Sequence, residues 1–349
     1  MFEDHLPLSA FEIVSISPTA NKLTIKIEPK HVRLSDRTHS SRSPNAWRYI
    51  VKGSKEDAPT TVEVNLGPII NVPRGQKLAI KWINTLGSMP GMNDCEGPTL
   101  EMPPINPLPM DFQLDIWMKM NPSVGVVTHL HGAVVTAESD GWPLLPAGFE
   151  GNGYGFPTCL EYTYTNDQRA VMLWFHDHAM DNTSVQVHAG LAGLYFIRDK
   201  SDEELLKLIG GDVAVEIPLV IQDRIVDCGF DRINYWAGVP AKWVTKNSQT
   251  SQDFDRPEFL GETIFVNGRP WPTLKLGRKI HRLRILNGSN ARTYAIALID
   301  PSSWAHSRTN ETLPVWYSDK ITVIGNDGGL LPKSVKLVST DHLLLAPAE

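Results

Sequence analysis

Cysteine is scarce in this sequence: Cys95, Cys159 and Cys228 are the only three in 349 residues, widely spaced and without a neighbouring histidine. An odd, scattered set gives no disulfide framework and suits a reducing compartment, with each thiol read as a buried apolar side chain. Long apolar runs are missing as well. No stretch reaches the roughly 18 residues of a membrane-spanning helix, which excludes a membrane partner. The start, Met1-Phe2-Glu3-Asp4-His5, has acids where a secretory signal would be basic and then apolar. Cytoplasm is the expected location. Positive charge is in deficit, with a net charge of -6. Phosphate backbones are gripped by clustered Lys and Arg, so nucleic acid is excluded as a partner.

Amphipathic helical repeats are absent except at Asp202–Ile209, where Asp-Glu-Glu precedes Leu-Leu and Leu-Ile. What fills the chain instead is short runs of Val, Ile, Leu and aromatics bounded by Gly, Pro, Asn or Asp. Leu23–Glu28, Lys77–Ile83, Ala170–Trp174, Gly193–Ile197, Val213–Ile221 and His281–Leu286 read as strands. Asn267-Gly268 marks a hairpin. An all-β chain of sandwiches follows, and the length exceeds one comfortable core. The boundary falls at the helical segment, giving a first domain over 1–199, a linker over 200–212 and a second domain over 213–349. Leu86–Val124, crowded with Pro and Gly, reads as a long loop. It holds Met89, Met92, Met102, Met110, Met118 and Met120, which read as gap-filling side chains ahead of a Cu(I)-gathering set.

Two motifs carry chemistry: Thr128-His129-Leu130-His131-Gly132 and Phe175-His176-Asp177-His178. Residues i and i+2 of a strand face one side, so each motif aims two imidazoles in one direction. If the strands are neighbours, four imidazoles converge. Such a cluster suits metal held through neutral ring nitrogens, and imidazole alone leaves copper, zinc, iron and nickel open. Asp177, between two of them, faces the other side and fits a packing or supporting role. His188 has no partner at i+2 and reads as an ordinary hydrogen-bonded histidine. Asn182, Asn287 and Asn310 match the Asn-x-Ser/Thr pattern, which means little without a secretory signal.

The stretches HLHGAVVTAESDGWP (His129–Pro143), LWFHDHAM (Leu173–Met180) and AGLAGLYFIRD (Ala189–Asp199) resemble the amino-terminal part of multicopper oxidases. The branch is that of phenoxazinone synthase (o-aminophenol oxidase), spore-coat laccase and bilirubin oxidase. PLVIQDR (Pro218–Arg224), FVNGRPWP (Phe265–Pro272), RLRILNGSNAR (Arg282–Arg292) and IGNDGGLL (Ile324–Leu331) extend the likeness over nearly the whole chain. The resemblance implies two consecutive cupredoxin-like Greek-key β-sandwich domains, the second incomplete at its carboxy end. It implies copper in a trinuclear site, with His129 on the type 2 copper, His131 and His176 on one type 3 copper, and His178 on the other. The remaining ligands would come from HxxHxH and HCHxxxH motifs of a third cupredoxin domain, and neither motif is present. Leu343–Glu349 ends where the family continues, so an incomplete chain is expected.

The implied activity is oxidation of phenols or aminophenols with reduction of dioxygen to water. Reducing dioxygen consumes protons, and in the resembling enzymes an acid stands where Asp140 does, which implies a relay. The competing reading of Ser139-Asp140-Gly141 is a tight turn. Two other functions compete with the oxidase: a non-catalytic copper-binding or structural cupredoxin pair from a truncated gene, and a zinc hydrolase.

Overall fold

Among the described residues, alternation of core and solvent side chains along short β-branched and aromatic segments makes strands the dominant regular structure. The computed structural model describes residues 4–7, 11–32, 45–55, 61–62, 65–86, 112–113, 125–144, 159–180, 182–209, 216–226, 233–235, 259–300, 302–303 and 314–349. In chain order the first eleven strands are β1 (Ile13–Ser15), β2 (Lys22–Val32), β3 (Asn45–Val51), β4 (Thr61–Val62), β5 (Ile69–Pro73), β6 (Leu78–Asn84), β7 (Phe112–Gln113), β8 (Thr128–His131), β9 (Cys159–Tyr164), β10 (Val171–Asp177) and β11 (Ala192–Arg198). Sheet 1 runs β1-β5-β11-β10-β8, and sheet 2 runs β3-β2-β6-β9 with β4 beside β2. They enclose one core. Ile25, Tyr49, Ile80 and Trp82 of sheet 2 meet Ile70, Leu130, Leu173, Phe175 and Tyr195 of sheet 1. At its centre the rings of Tyr49, Trp82 and Phe175 lie 5.1–5.4 Å apart.

The other face of sheet 1 is covered too. Ile69, Trp174, Leu194 and Phe196 pack there with Val220 and Leu286. These last two come from β12 (Glu216–Val226) and from β16 (Arg282–Asn287), its parallel neighbour. Around β12 lie β13 (Ile233–Tyr235), β14 (Thr263–Val266) and β15 (Arg269–Pro270), with β7 at the edge beside β13. The Asn267-Gly268 turn joins β14 to β15 with φ of 51° and 78°, the double positive φ that tight hairpins require. Further on, β17 (Tyr294–Ile296) pairs with β20 (Leu343–Leu345), and β18 (Thr322–Asn326) pairs with β19 (Gly329–Lys336).

Among the described residues, two α-helices flank β11. One, α1 (Thr183–Ala189), follows the second histidine motif and has no counterpart in the sequence reading. The other, α2 (Lys200–Leu208), is the expected helix, with Asp199 accepting from the Asp202 amide as its cap. Among the described residues no helix is long and apolar enough to cross a membrane. The Met-rich segment, apart from Leu86 and Phe112–Gln113, lies outside the described residues.

The cysteine expectation needs correction. Cys159, at the start of β9, is disulfide-bonded, and its partner lies outside the described residues. Folding brings together thiols whose sequence separation is uninformative, so scatter along the chain was no guide to pairing. The inference of a reducing compartment from cysteine usage falls with it. One Asn-x-Ser match is also removed as a glycan acceptor: the Asn287 amide is buried and donates to the carbonyls of Arg292 and Leu345.

Where β11, α2, β12 and β16 meet, three guanidinium groups surround two carboxylates. Arg198 lies 2.8 Å from Asp202 and 2.6 Å from Glu216, while Arg282 and Arg284 reach Asp202 at 2.7 and 2.8 Å. Burial would raise both carboxyls, but the arginines outweigh it and hold both below their ordinary values. Carboxyls depressed by folding stabilise fully above their unfolded pKa of about 4, and that contribution is lost as pH falls through the lower folded values. Unfolding free energy measured by denaturant titration is therefore expected to drop below about pH 4. Glu216→Gln, which strands buried arginines, is expected to cost about 3 kcal/mol at neutral pH and to flatten that drop. An unchanged acid profile would refute this.

Candidate metal centre

The two histidine motifs lie on adjacent antiparallel strands. His176 on β10 stands directly opposite His129 on β8, and Trp174 stands opposite His131. Leu130, Leu173 and Phe175 take the inward positions, so His129, His131, Trp174 and His176 turn to the outer face of sheet 1. His178, one residue past β10, continues the series, its amide bonded to the Val127 carbonyl at 2.7 Å. The four imidazoles converge. Ring centroids from His129 measure 5.7 Å to His131, 5.5 Å to His176 and 4.7 Å to His178, and His131 and His176 are 5.5 Å apart.

Ring orientation is set by the backbone. A carbonyl only accepts, so each ring nitrogen facing one carries the proton. Nδ1 of His129 meets the Asp140 carbonyl at 2.5 Å, Nδ1 of His176 that of Asp177 at 2.6 Å, and Nδ1 of His178 that of Gly141 at 3.1 Å. In each neutral ring this leaves the Nε2 lone pair free, the arrangement found when histidine binds metal. His131 differs: its Nδ1 faces Nε2 of His176 at 3.3 Å. Two nitrogens each about 2.0–2.1 Å from one ion are that far apart at an angle of roughly 107°, close to tetrahedral. Ligand atoms of His129, His131 and His176 all lie within 4.8 Å of one another.

Burial and crowding favour the neutral form at His131 and His176. Burial, with the neighbouring imidazoles, pushes the His176 ring down to about 3, although its bond to the Asp177 carbonyl opposes the shift. Burial and the rings of His129 and His178 lower His131 as well, against the opposing charge of Asp327. Two rings that resist protonation retain their lone pairs at neutral pH, which a metal site needs.

Asp177 sits on the inward face and is fully buried. Its carboxyl accepts the amides of Val127 at 3.0 Å and Ala179 at 3.1 Å, tying the entrance of β8 to the exit of the second motif. Burial raises it to about 7 against these bonds. Asp140 is a surface residue, its side chain 53% exposed and 3.4 Å from His129 Nδ1. Its turn contributes mainly through backbone: the Asp140 and Gly141 carbonyls orient two of the four rings. His188 stands apart, its ring edge-on to Phe259 and its carbonyl accepting from the buried Arg224.

Sequence reasoning missed the two turn carbonyls, which leave no residue-type signal, and Trp174, which the i, i+2 rule applied backward from His176 would have placed in the cluster.

Known proteins similar to this chain identify its family. Residues 113–202 match the family model described as multicopper oxidase. The laccase of Bacillus subtilis (strain 168) is 35% identical over 287 residues, covering 81% of this chain and 47% of that protein. Multicopper oxidase LPR1 homolog 1 of Oryza sativa subsp. japonica is 32% identical over 290 residues, covering 81% and 41%. The chain thus spans about half the length of the curated relatives it matches. Among solved structures, the McoA multicopper oxidase of Aquifex aeolicus superposes with a TM-score of 0.65 at 23% identity, covering 100% of this chain and 56% of that one. The fold class is the expected all-β, cupredoxin-like one. Identity of 35% over 81% of its length, with both histidine motifs inside the segment that the family model matches, makes this chain a member of the multicopper oxidase family.

Proposed function

We propose that the chain is the amino-terminal part of a laccase-like multicopper oxidase that oxidises phenols or aminophenols and reduces dioxygen to water. His129, His131, His176 and His178 are its share of a trinuclear copper site: His129 on the type 2 copper, His131 and His176 on one type 3 copper, His178 on the other. The observation that carries the reading is the facing pair of His131 Nδ1 and His176 Nε2 beside two further rings with free Nε2. Copper held there would supply stepwise electron transfer to dioxygen. Residues 1–199 form the donor domain, 200–212 the linker and 213–349 a bridging domain. The outward face of the four histidines fits closure by a third cupredoxin domain bearing the remaining ligands and the electron-accepting copper.

The protein's own groups have defined tasks in this reading. The carbonyls of Asp140, Gly141 and Asp177 hold three rings in one tautomer, and burial keeps His176 unprotonated. Asp140, open to solvent and beside His129, carries protons toward the site. The test uses the full-length, copper-loaded protein with o-aminophenol or a diphenol, following oxygen uptake. Turnover is expected, with Asp140→Asn slowing it about tenfold or more at unchanged copper content. Full copper loading without turnover of either substrate would favour a non-catalytic copper protein. A normal rate in Asp140→Asn would leave Asp140 as a turn residue only.

A further inference from the structure

Three of the four imidazoles are oriented by a backbone carbonyl at Nδ1, and His131 has none among the described residues. What fixes its plane is an indole. Trp174 stands opposite His131 across the β8–β10 pair and two residues before His176. Its ring lies nearly flat on His176, with centroids 4.1 Å apart and planes at 29°, and at 5.5 Å and 28° to His131. One aromatic system therefore stacks on both imidazoles whose nitrogens face each other at 3.3 Å.

The indole is itself immobilised. It is 7% exposed and packs with Phe11, Ile69, Leu194 and Val220, so β12 of the second unit helps to hold it. Its Nε1–H is buried without a hydrogen-bond partner among the described residues. Buried indoles usually satisfy that donor, and a branched aliphatic side chain would fill an apolar space without leaving one unmet. Core filling alone does not explain the choice; a flat surface broad enough for two rings does.

We propose that Trp174 is a positioning residue for metal: its indole is the platform that sets the His131 and His176 rings so that Nδ1 of one and Nε2 of the other meet one ion. The proposal rests on the copper reading of the four histidines. Imidazole χ2 is a soft torsion, so an unsupported His131 samples orientations that turn Nδ1 away from its partner. Groups that orient ligands in this way typically account for about 10–100-fold in metal affinity.

The test compares Trp174→Leu, Trp174→Phe, Phe196→Leu and His176→Ala in the full-length protein. Copper affinity is read by competition with a chromophoric chelator, and folding by the thermal midpoint. Phe196 shares the apolar cluster but stacks on Arg198 and Arg284 rather than on histidine, so Phe196→Leu reports lost core packing alone. Trp174→Leu is expected to weaken copper binding at least about tenfold. Trp174→Phe, with one flat ring and no N–H, is expected to fall between it and the wild type, and Phe196→Leu to leave affinity unchanged while lowering the midpoint. Wild-type affinity in Trp174→Leu, no recovery in Trp174→Phe, or an equal loss in Phe196→Leu would each overturn the platform. Should His176→Ala also keep wild-type affinity, the copper reading falls instead.

Discussion

Replacing His176 with alanine is expected to remove at least one copper ion per molecule and to weaken what remains by more than about 100-fold, beyond the range seen for supporting groups. His176 is the most buried of the four rings: it faces His131 across 3.3 Å, opposes His129 in register and is only 5% exposed. No neighbouring side chain can swing into its place, because the strand pairing that positions it also fixes the residues on either side. The double variant His129→Ala/His178→Ala should lose copper as well, since it removes a stacked pair whose carbonyl-held Nδ1 atoms leave both Nε2 atoms free. Elemental analysis after dialysis reads both results. Unchanged copper stoichiometry in either variant would mean that metal binds elsewhere.

The second large effect is expected from a residue with no side chain. Gly141 has φ of +87°, and a Cβ there would stand 2.5 Å from the Thr128 carbonyl oxygen and 3.2 Å from the His129 Cα. Those atoms belong to β8, which cannot move without dragging His129 with it. Gly141→Ala combines left-handed strain with a backbone collision and should cost about 3 kcal/mol or more. It should also weaken copper, since the carbonyls of Asp140 and Gly141 orient His129 and His178. Gly75→Ala is the control: φ is +75° there but nothing lies within 4 Å, so only about 1 kcal/mol should be lost. Equal costs for the two, measured by denaturant titration, would show that the turn is not wedged against β8.

Much of this is legible in the amino-acid sequence. Strands announce themselves by alternation, and the segments ending near Trp174 and Ile197 became the paired centre of sheet 1. The convergence of four histidines followed from an i, i+2 rule once β8 and β10 proved to be neighbours. The illegible parts share a cause, in that they depend on partners far away in the chain. The Cys159 disulfide joins residues whose separation says nothing of their distance. α1 is a seven-residue helix held by contacts from elsewhere, with Arg224 donating to the carbonyl of His188 in its last turn. Local propensity is too weak to announce a helix that short. The pairing of β7 with β13 carries a two-residue piece of an apparent loop into a sheet, which no local pattern signals. Backbone carbonyls, such as those beside His129 and His178, are carried by every residue type and so leave no trace in composition.

The strand β10 serves two masters at alternate positions: Leu173, Phe175 and Asp177 point into the sandwich, while Trp174 and His176 point away from it. Adding or deleting one residue between Val171 and His176 would exchange the two sets, sending imidazoles into the hydrocarbon interior and a phenyl ring to the histidine face. Natural variation in this stretch should thus proceed by replacement at constant length, and among homologues every gap should fall outside it.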